Sequence, residues 1–156
     1  RGLGDVYKRQ AQTYRGRSFT LGDIGYLDED GYLFIVDRKK DMIISGGVNV
    51  YPAEIEAVLV SHPGVADAAV IGMPDPEWGE TVCALIQLAE GGSESEAFAQ
   101  ELTSFVRGRL DSYKCPRRIL FRDRLPRTET GKLLKRQLRE EVPDSLVEQQ
   151  PWRREA

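Results

Sequence analysis

Two apolar runs constrain the fold of this chain more than anything else in it. Val65 to Gly72 and Thr81 to Leu88 are rich in Val, Ile and Ala, and Asp67 is the one charged residue they contain. A strand with one wet face alternates polar and apolar side chains; these runs do not alternate, so each is expected to be a strand covered on both faces. The segment between them, Met73-Pro74-Asp75-Pro76-Glu77-Trp78-Gly79, reads as a loop because of its prolines and glycine. The flanking segments therefore have to supply the cover.

Those segments carry helical signals. Pro52 suits the first turn of a helix, and Ile55, Val58 and Leu59 then fall on one stripe that stops near Ser61-His62-Pro63-Gly64. After the break at Gly91-Gly92-Ser93, Ser93 and Glu96 have the spacing of a capping box. Phe98, Leu102, Phe105 and Val106 follow at helical spacing, and Leu110 ends that stripe. Tyr113 to Pro116 reads as a loop, Arg118 to Phe121 as a short strand and Leu133 to Glu141 as a final helix. Upstream, Phe19 to Val36 reads as a β-hairpin turning at Asp28-Glu29-Asp30-Gly31. Met42-Ile43-Ile44 is a short strand ending at Ser45-Gly46-Gly47. The expected fold is α+β: helices packed on a three-stranded sheet, preceded by a hairpin that belongs to something larger.

The expected division is residues 1–18 as a non-native leader and linker, 19–37 as the hairpin, 38–41 as a charged hinge, 42–141 as the small domain and 142–156 as a polar tail. Arg1 to Gln10 resembles a stretch found in front of unrelated reading frames and is set aside. No apolar run approaches the ~20 residues of a membrane span, and there is no secretory leader pattern, so a cytoplasmic location is expected. Cys83, Cys115 and the lone His62 are too few and too scattered for a disulfide framework or a metal site.

Charge is sharply divided. Val50 to Val106 holds ten acidic residues and no lysine or arginine, whereas Arg107 to Glu140 holds twelve basic and four acidic ones. Such a basic segment suits a solvated face or a polyanionic small ligand. Sparse aromatic residues and the lack of a reader motif argue against nucleic acid.

Several short motifs carry chemistry. Gly22-Asp23 puts a carboxylate before the hairpin, and Arg38 follows its second arm, so a hairpin brings together two groups suited to a ribose. Asp37-Arg38-Lys39-Lys40-Asp41 is a charged linker able to absorb backbone rotation. Ser45-Gly46-Gly47-Val48 offers backbone N–H groups at close approach. Pro126-Arg127-Thr128-Glu129-Thr130-Gly131-Lys132 sets a lysine at the tip of a turn.

These motifs, in this order and spacing, resemble the C-terminal part of the adenylate-forming acyl-CoA synthetases, over about Phe19 to Glu141. The resemblance implies Lys132 as the catalytic lysine, Asp23 and Arg38 as ribose ligands of the nucleotide, and Lys40 as the hinge between two half-reactions. It implies Gly46, Gly47, Val48 and Lys114 beside CoA, and no metal ligand. The implied substrates are ATP, CoA and a carboxylic acid of the fatty-acid kind, with Mg²⁺ on the phosphates. The phosphate loop and the acyl pocket of that family are not in this sequence, so the chain alone is expected to be inactive and to act against a large N-terminal domain. Two other readings stay open: a peptide-synthetase adenylation domain, and a free-standing nucleotide- or CoA-binding module.

Overall fold

A computed structural model describes residues 22–142, together with the backbone of residues 14–15 and 18–19. The expected leader and the polar tail fall almost wholly outside the described residues. The chain divides into two compact units, residues 1–40 and 41–156.

In the first unit, β1 (Tyr14–Arg15) pairs with β2 (Ser18–Phe19), and β3 (Asp23–Leu27) pairs antiparallel with β4 (Leu33–Arg38). The turn is built by Asp28, whose Oδ1 accepts from the amides of Asp30 and Tyr32. Gly31 takes φ 85° there. The sequence places the end of the second arm at Val36, but β4 runs on to Arg38. A bulge between Ile24 and Gly25 absorbs the extra residue.

The second unit is the α+β body. Its sheet has the order β6–β5–β8–β7, with β9 also paired to β8, where β5 is Ile43–Ser45, β6 Val48–Val50, β7 Val65–Asp75, β8 Gly79–Leu88 and β9 Arg118–Phe121. The sheet expected from the sequence has three strands and this one has five, because the short strand expected at Met42–Ile44, here β5, turns back as β6 and joins β8 at Gly79. The stretch read as a loop from Met73 to Gly79 is mostly strand, because β7 continues to Asp75 and pairs with Gly79. Pro74 fits there because the outer edge of β7 pairs with no other strand among the described residues. The parallel register of β8 with β9 requires a long crossover, which α2 (Glu96–Arg107) supplies.

Alternation sends the central strands into two cores. Ala68, Val70, Val82, Ala84 and Ile86 face α1 (Pro52–Val60) and α2, packing with Ile55, Leu59, Leu102 and Val106. Ala69, Ile71, Met73, Cys83 and Leu85 face the opposite side, packing with Leu125 and with Leu138 of α3 (Lys135–Glu141). Each fully buried Leu or Ile in such a core contributes about 1.5–3 kcal/mol. Burial pushes the Cys83 thiol up to about 12, which makes it an inert core residue. His62 is likewise structural: it packs edge-on against Phe98 and Phe105, and its Nδ1 accepts from the Gly64 amide.

Two helix starts differ from the sequence reading. Ser95, not Ser93, caps α2 by accepting from the Phe98 amide at 3.1 Å, because the helix begins at Glu96. The final helix begins at Lys135, not Leu133, because Leu133 bridges back to Arg127 and the Leu134 amide donates to Pro126. None of the described helices is long and apolar enough to cross a membrane.

Candidate active-site elements

The β3–β4 register sets Asp23 directly opposite Arg38. Arg38 Nε lies 3.7 Å from Asp23 Oδ1, with the side chains 45% and 32% exposed. A pair so open to water contributes only ~0–1 kcal/mol to stability. The bulge that creates this register needs Gly25, since a Cβ there would sit 2.5 Å from the Phe34 carbonyl oxygen.

Beyond the pair the chain leaves the hairpin within two residues. The Lys39 amide donates to the Gly22 carbonyl at 2.8 Å, inside the first unit. The Asp41 carboxylate faces Arg139 of α3 at 3.6 Å, inside the second. Lys40 stands between these anchors, exposed, on a turn at the unit boundary.

Gly46 and Gly47 form the two-residue loop of the β5–β6 hairpin with φ of 57° and 79°. Positive φ at both positions is the geometry that suits a right-twisted two-residue hairpin and that glycine adopts without strain. Gly46 is also held by its neighbour: its amide donates to the Trp78 carbonyl, and a Cβ would meet the Trp78 ring at 2.6 Å. Trp78 in turn carries the Arg117 guanidinium 4.3 Å from its ring centre. Val48 begins the return strand and is exposed.

Lys114 lies on a single 3-10 turn, Ser112–Lys114. Its ammonium donates to Glu54 Oε1 at 2.8 Å, and that hydrogen bond raises its pKa above 10.5. The structure thus spends this cation on α1, a pairing that sequence spacing did not disclose. Lys114→Met is expected to cost about 1 kcal/mol at pH 7, a modest figure because solvent reaches Glu54. A raised folded pKa gives stability that is complete below the unfolded value and is lost as pH rises through the folded one. Urea unfolding of both forms should therefore show a constant gap through neutral pH that closes above about 10.5; a gap that widens in alkali would contradict the assignment.

Lys132 is displayed on a three-residue hairpin loop. The Gly131 amide donates to the Thr128 carbonyl at 2.8 Å, and the Thr128 amide to the Lys132 carbonyl at 2.9 Å. Gly131 takes φ 82°, the left-handed position that closes such a loop. The Lys132 amide donates to Thr128 Oγ1 at 3.1 Å, so its backbone is fixed while the residue is exposed. An ammonium presented in this way can stabilise negative charge that builds on a reacting phosphate. Arg127, whose part the motif alone does not disclose, pairs with Asp67 at 2.7 Å, sixty residues away. Among the described residues, no group of three or more His, Cys, Asp and Glu is placed to hold a metal ion.

The family model of the AMP-binding enzyme C-terminal domain matches residues 54–132. The 2-succinylbenzoate–CoA ligase of Geobacillus kaustophilus is 53% identical over 85% of this chain and 26% of its own length. A long-chain-fatty-acid–CoA ligase of Mycobacterium tuberculosis is 49% identical over 79% of the chain and 24% of its own. The chain thus spans about a quarter of the curated relatives it matches. Among solved structures, o-succinylbenzoate CoA synthetase from Bacillus subtilis, in complex with an acyl-adenylate intermediate, aligns with TM-score 0.74 and 44% identity over 82% of this chain and 25% of that one.

Proposed function

The chain belongs to the AMP-binding enzyme C-terminal domain family, and on that premise we propose that it is the C-terminal part of an ATP-dependent carboxylic acid–CoA ligase. In the first half-reaction, a carboxylate oxygen attacks the α-phosphorus of ATP, and pyrophosphate leaves. In the second, the CoA sulfur attacks the acyl carbon, and AMP leaves. A fatty acid is the proposed acid, by likeness to the long-chain relative.

The observation that carries this reading is the Lys132 turn: an exposed lysine on a backbone fixed by three short-range hydrogen bonds. Lys132 meets the carboxylate and the α-phosphate as charge passes to the departing pyrophosphate. The Asp23–Arg38 pair fits a ribose, since a carboxylate accepts from two vicinal hydroxyls while a guanidinium donates to their oxygens. Lys40 is the residue about which the second unit turns between half-reactions, because anchors stand on either side of it. The glycine pair at Gly46 and Gly47, with Val48 and the Lys114 turn, borders the CoA arm in the second half-reaction. Mg²⁺ travels with the triphosphate and is assigned no ligand in this chain.

A joined protein tests the reading. Residues 22–142 would replace the matching C-terminal segment of the Geobacillus 2-succinylbenzoate–CoA ligase. The expected product, from that acid with ATP and CoA, is its CoA thioester. Joining the same residues to the large segment of the Mycobacterium long-chain ligase should move the preference to long-chain acids, because the acyl pocket lies outside this chain. A folded joined protein that makes no thioester in either setting would overturn the proposal.

A further inference from the structure

We propose that Arg127, held by Asp67, is the positioning residue that aims Lys132 in the adenylating half-reaction. The inference rests on the reading of Lys132 given above, and goes beyond it by assigning what orients that lysine.

The guanidinium is used along two edges at once. Nε donates to Asp67 Oδ2 at 3.0 Å, and Nη2 donates to Oδ1 at 2.8 Å and to Oδ2 at 2.7 Å. Nη1 donates to the Gly131 carbonyl oxygen at 2.5 Å. That carbonyl belongs to the peptide group whose N–H is Lys132's own, so the fork grips the plane from which the Lys132 side chain departs. Asp67 is itself oriented, because its Oδ1 accepts from the Ala68 amide at 2.9 Å within β7. A continuous line of contacts therefore runs from the central sheet, through Asp67 and Arg127, to the tip of the turn.

The same pair is a weak candidate for a purely structural role. Its side chains are 39% and 22% exposed, and ion pairs so open to water add little to global stability. What a planar, bidentate fork supplies is direction. Rates that depend on positioning fall by about 10²-fold for misplacements near 1 Å. Lysine in place of Arg127 keeps the charge but loses the fork, so it should restore little.

The test has two arms. In the 156-residue chain, Arg127→Met should speed hydrogen exchange at the Thr128, Gly131 and Lys132 amides about tenfold while the β7–β8 amides keep their protection. Unchanged exchange at the turn would overturn the clamp whatever the function is. In the joined protein, Arg127→Met should lower kcat for acyl-adenylate formation about 10- to 100-fold, with little change in KM for ATP. Thioester formation from supplied acyl-adenylate and CoA should be unaffected. Asp67→Asn should reproduce the defect, the double variant should be no worse than either single one, and Arg127→Lys should recover only part of the rate. Equal loss in both half-reactions would mark Arg127 as merely structural and overturn the inference. If Lys132→Ala is harmless in the same protein, the underlying reading fails; if Lys132→Ala is damaging and Arg127→Met is not, the positioning role alone fails.

Discussion

Lys132→Ala in the joined protein is expected to slow acyl-adenylate formation by about 10²–10³-fold, equivalent to ~3–4 kcal/mol of transition-state stabilisation. The size follows from what the residue does. Charge shifts onto the pyrophosphate as the carboxylate attacks, and an ammonium fixed at that point gains interaction energy in the transition state that it lacks in the ground state. Alanine removes the charge but leaves the turn intact, since the hydrogen bonds that build it come from Thr128, Gly131 and the backbone of residue 132. Stability should therefore change little. Thioester formation from supplied acyl-adenylate should continue at nearly the original rate, because on the proposed turning about Lys40 the unit that carries Lys132 has moved on before AMP leaves. Rapid-quench measurement of each half-reaction separates the two outcomes. Equal loss in both would place Lys132 outside the chemistry.

The second large effect concerns stability. Glu56 Oε1 receives Lys135 Nζ at 2.7 Å and the Val70 amide at 2.7 Å, with the Lys135 and Glu56 side chains only 11% and 17% exposed. One carboxylate oxygen thus joins α1, the outer edge of β7 and the first residue of α3. Glu56→Ala strands a nearly buried ammonium and an edge amide together, and is expected to cost the isolated chain about 2–4 kcal/mol. Replacing both partners, Glu56→Met with Lys135→Met, removes the uncompensated charge and should cost less than Glu56→Ala alone. Urea unfolding followed by far-ultraviolet circular dichroism gives each difference. If the double replacement proves the worse of the two, the ion pair is not what holds these elements together.

Much of this architecture could be read from local pattern. The two apolar runs announced a sheet with both faces covered, and the two cores lie where their alternation sends them. Asp23 and Arg38 could be paired from sequence because a hairpin with a recognisable turn lay between them. The errors came where local signals compete. Pro74 suggested a loop, yet an edge strand tolerates it. Leu133 and Leu134 suggested helix, yet they close the Lys132 hairpin against Arg127 and Pro126. Ser93 and Ser95 both offered a cap, and only the start of the helix at Glu96 chose between them.

What local pattern could not supply was the partners of the charges. Arg127 with Asp67, Lys114 with Glu54, and Lys135 with Glu56 each join residues sixty or more positions apart, and nothing in the spacing along the chain selects one acid over another. The acidic first half and basic second half of the small domain hinted at such pairing without assigning it. Of these, Arg127 with Asp67 is the pair that also reaches the Lys132 turn, through the Gly131 carbonyl.

Carboxylate-dependent exchange of labelled pyrophosphate into ATP distinguishes this reading from its rivals in a single assay. It should be run on the 156-residue chain alone, on the large ligase segment alone and on the two joined. Robust exchange is expected from the joined protein only, with loss of about 10²–10³-fold on Lys132→Ala. Exchange by the isolated chain, or undiminished exchange by the joined protein lacking Lys132, would contradict the assignment of this chain as the lysine-bearing part of a divided active site.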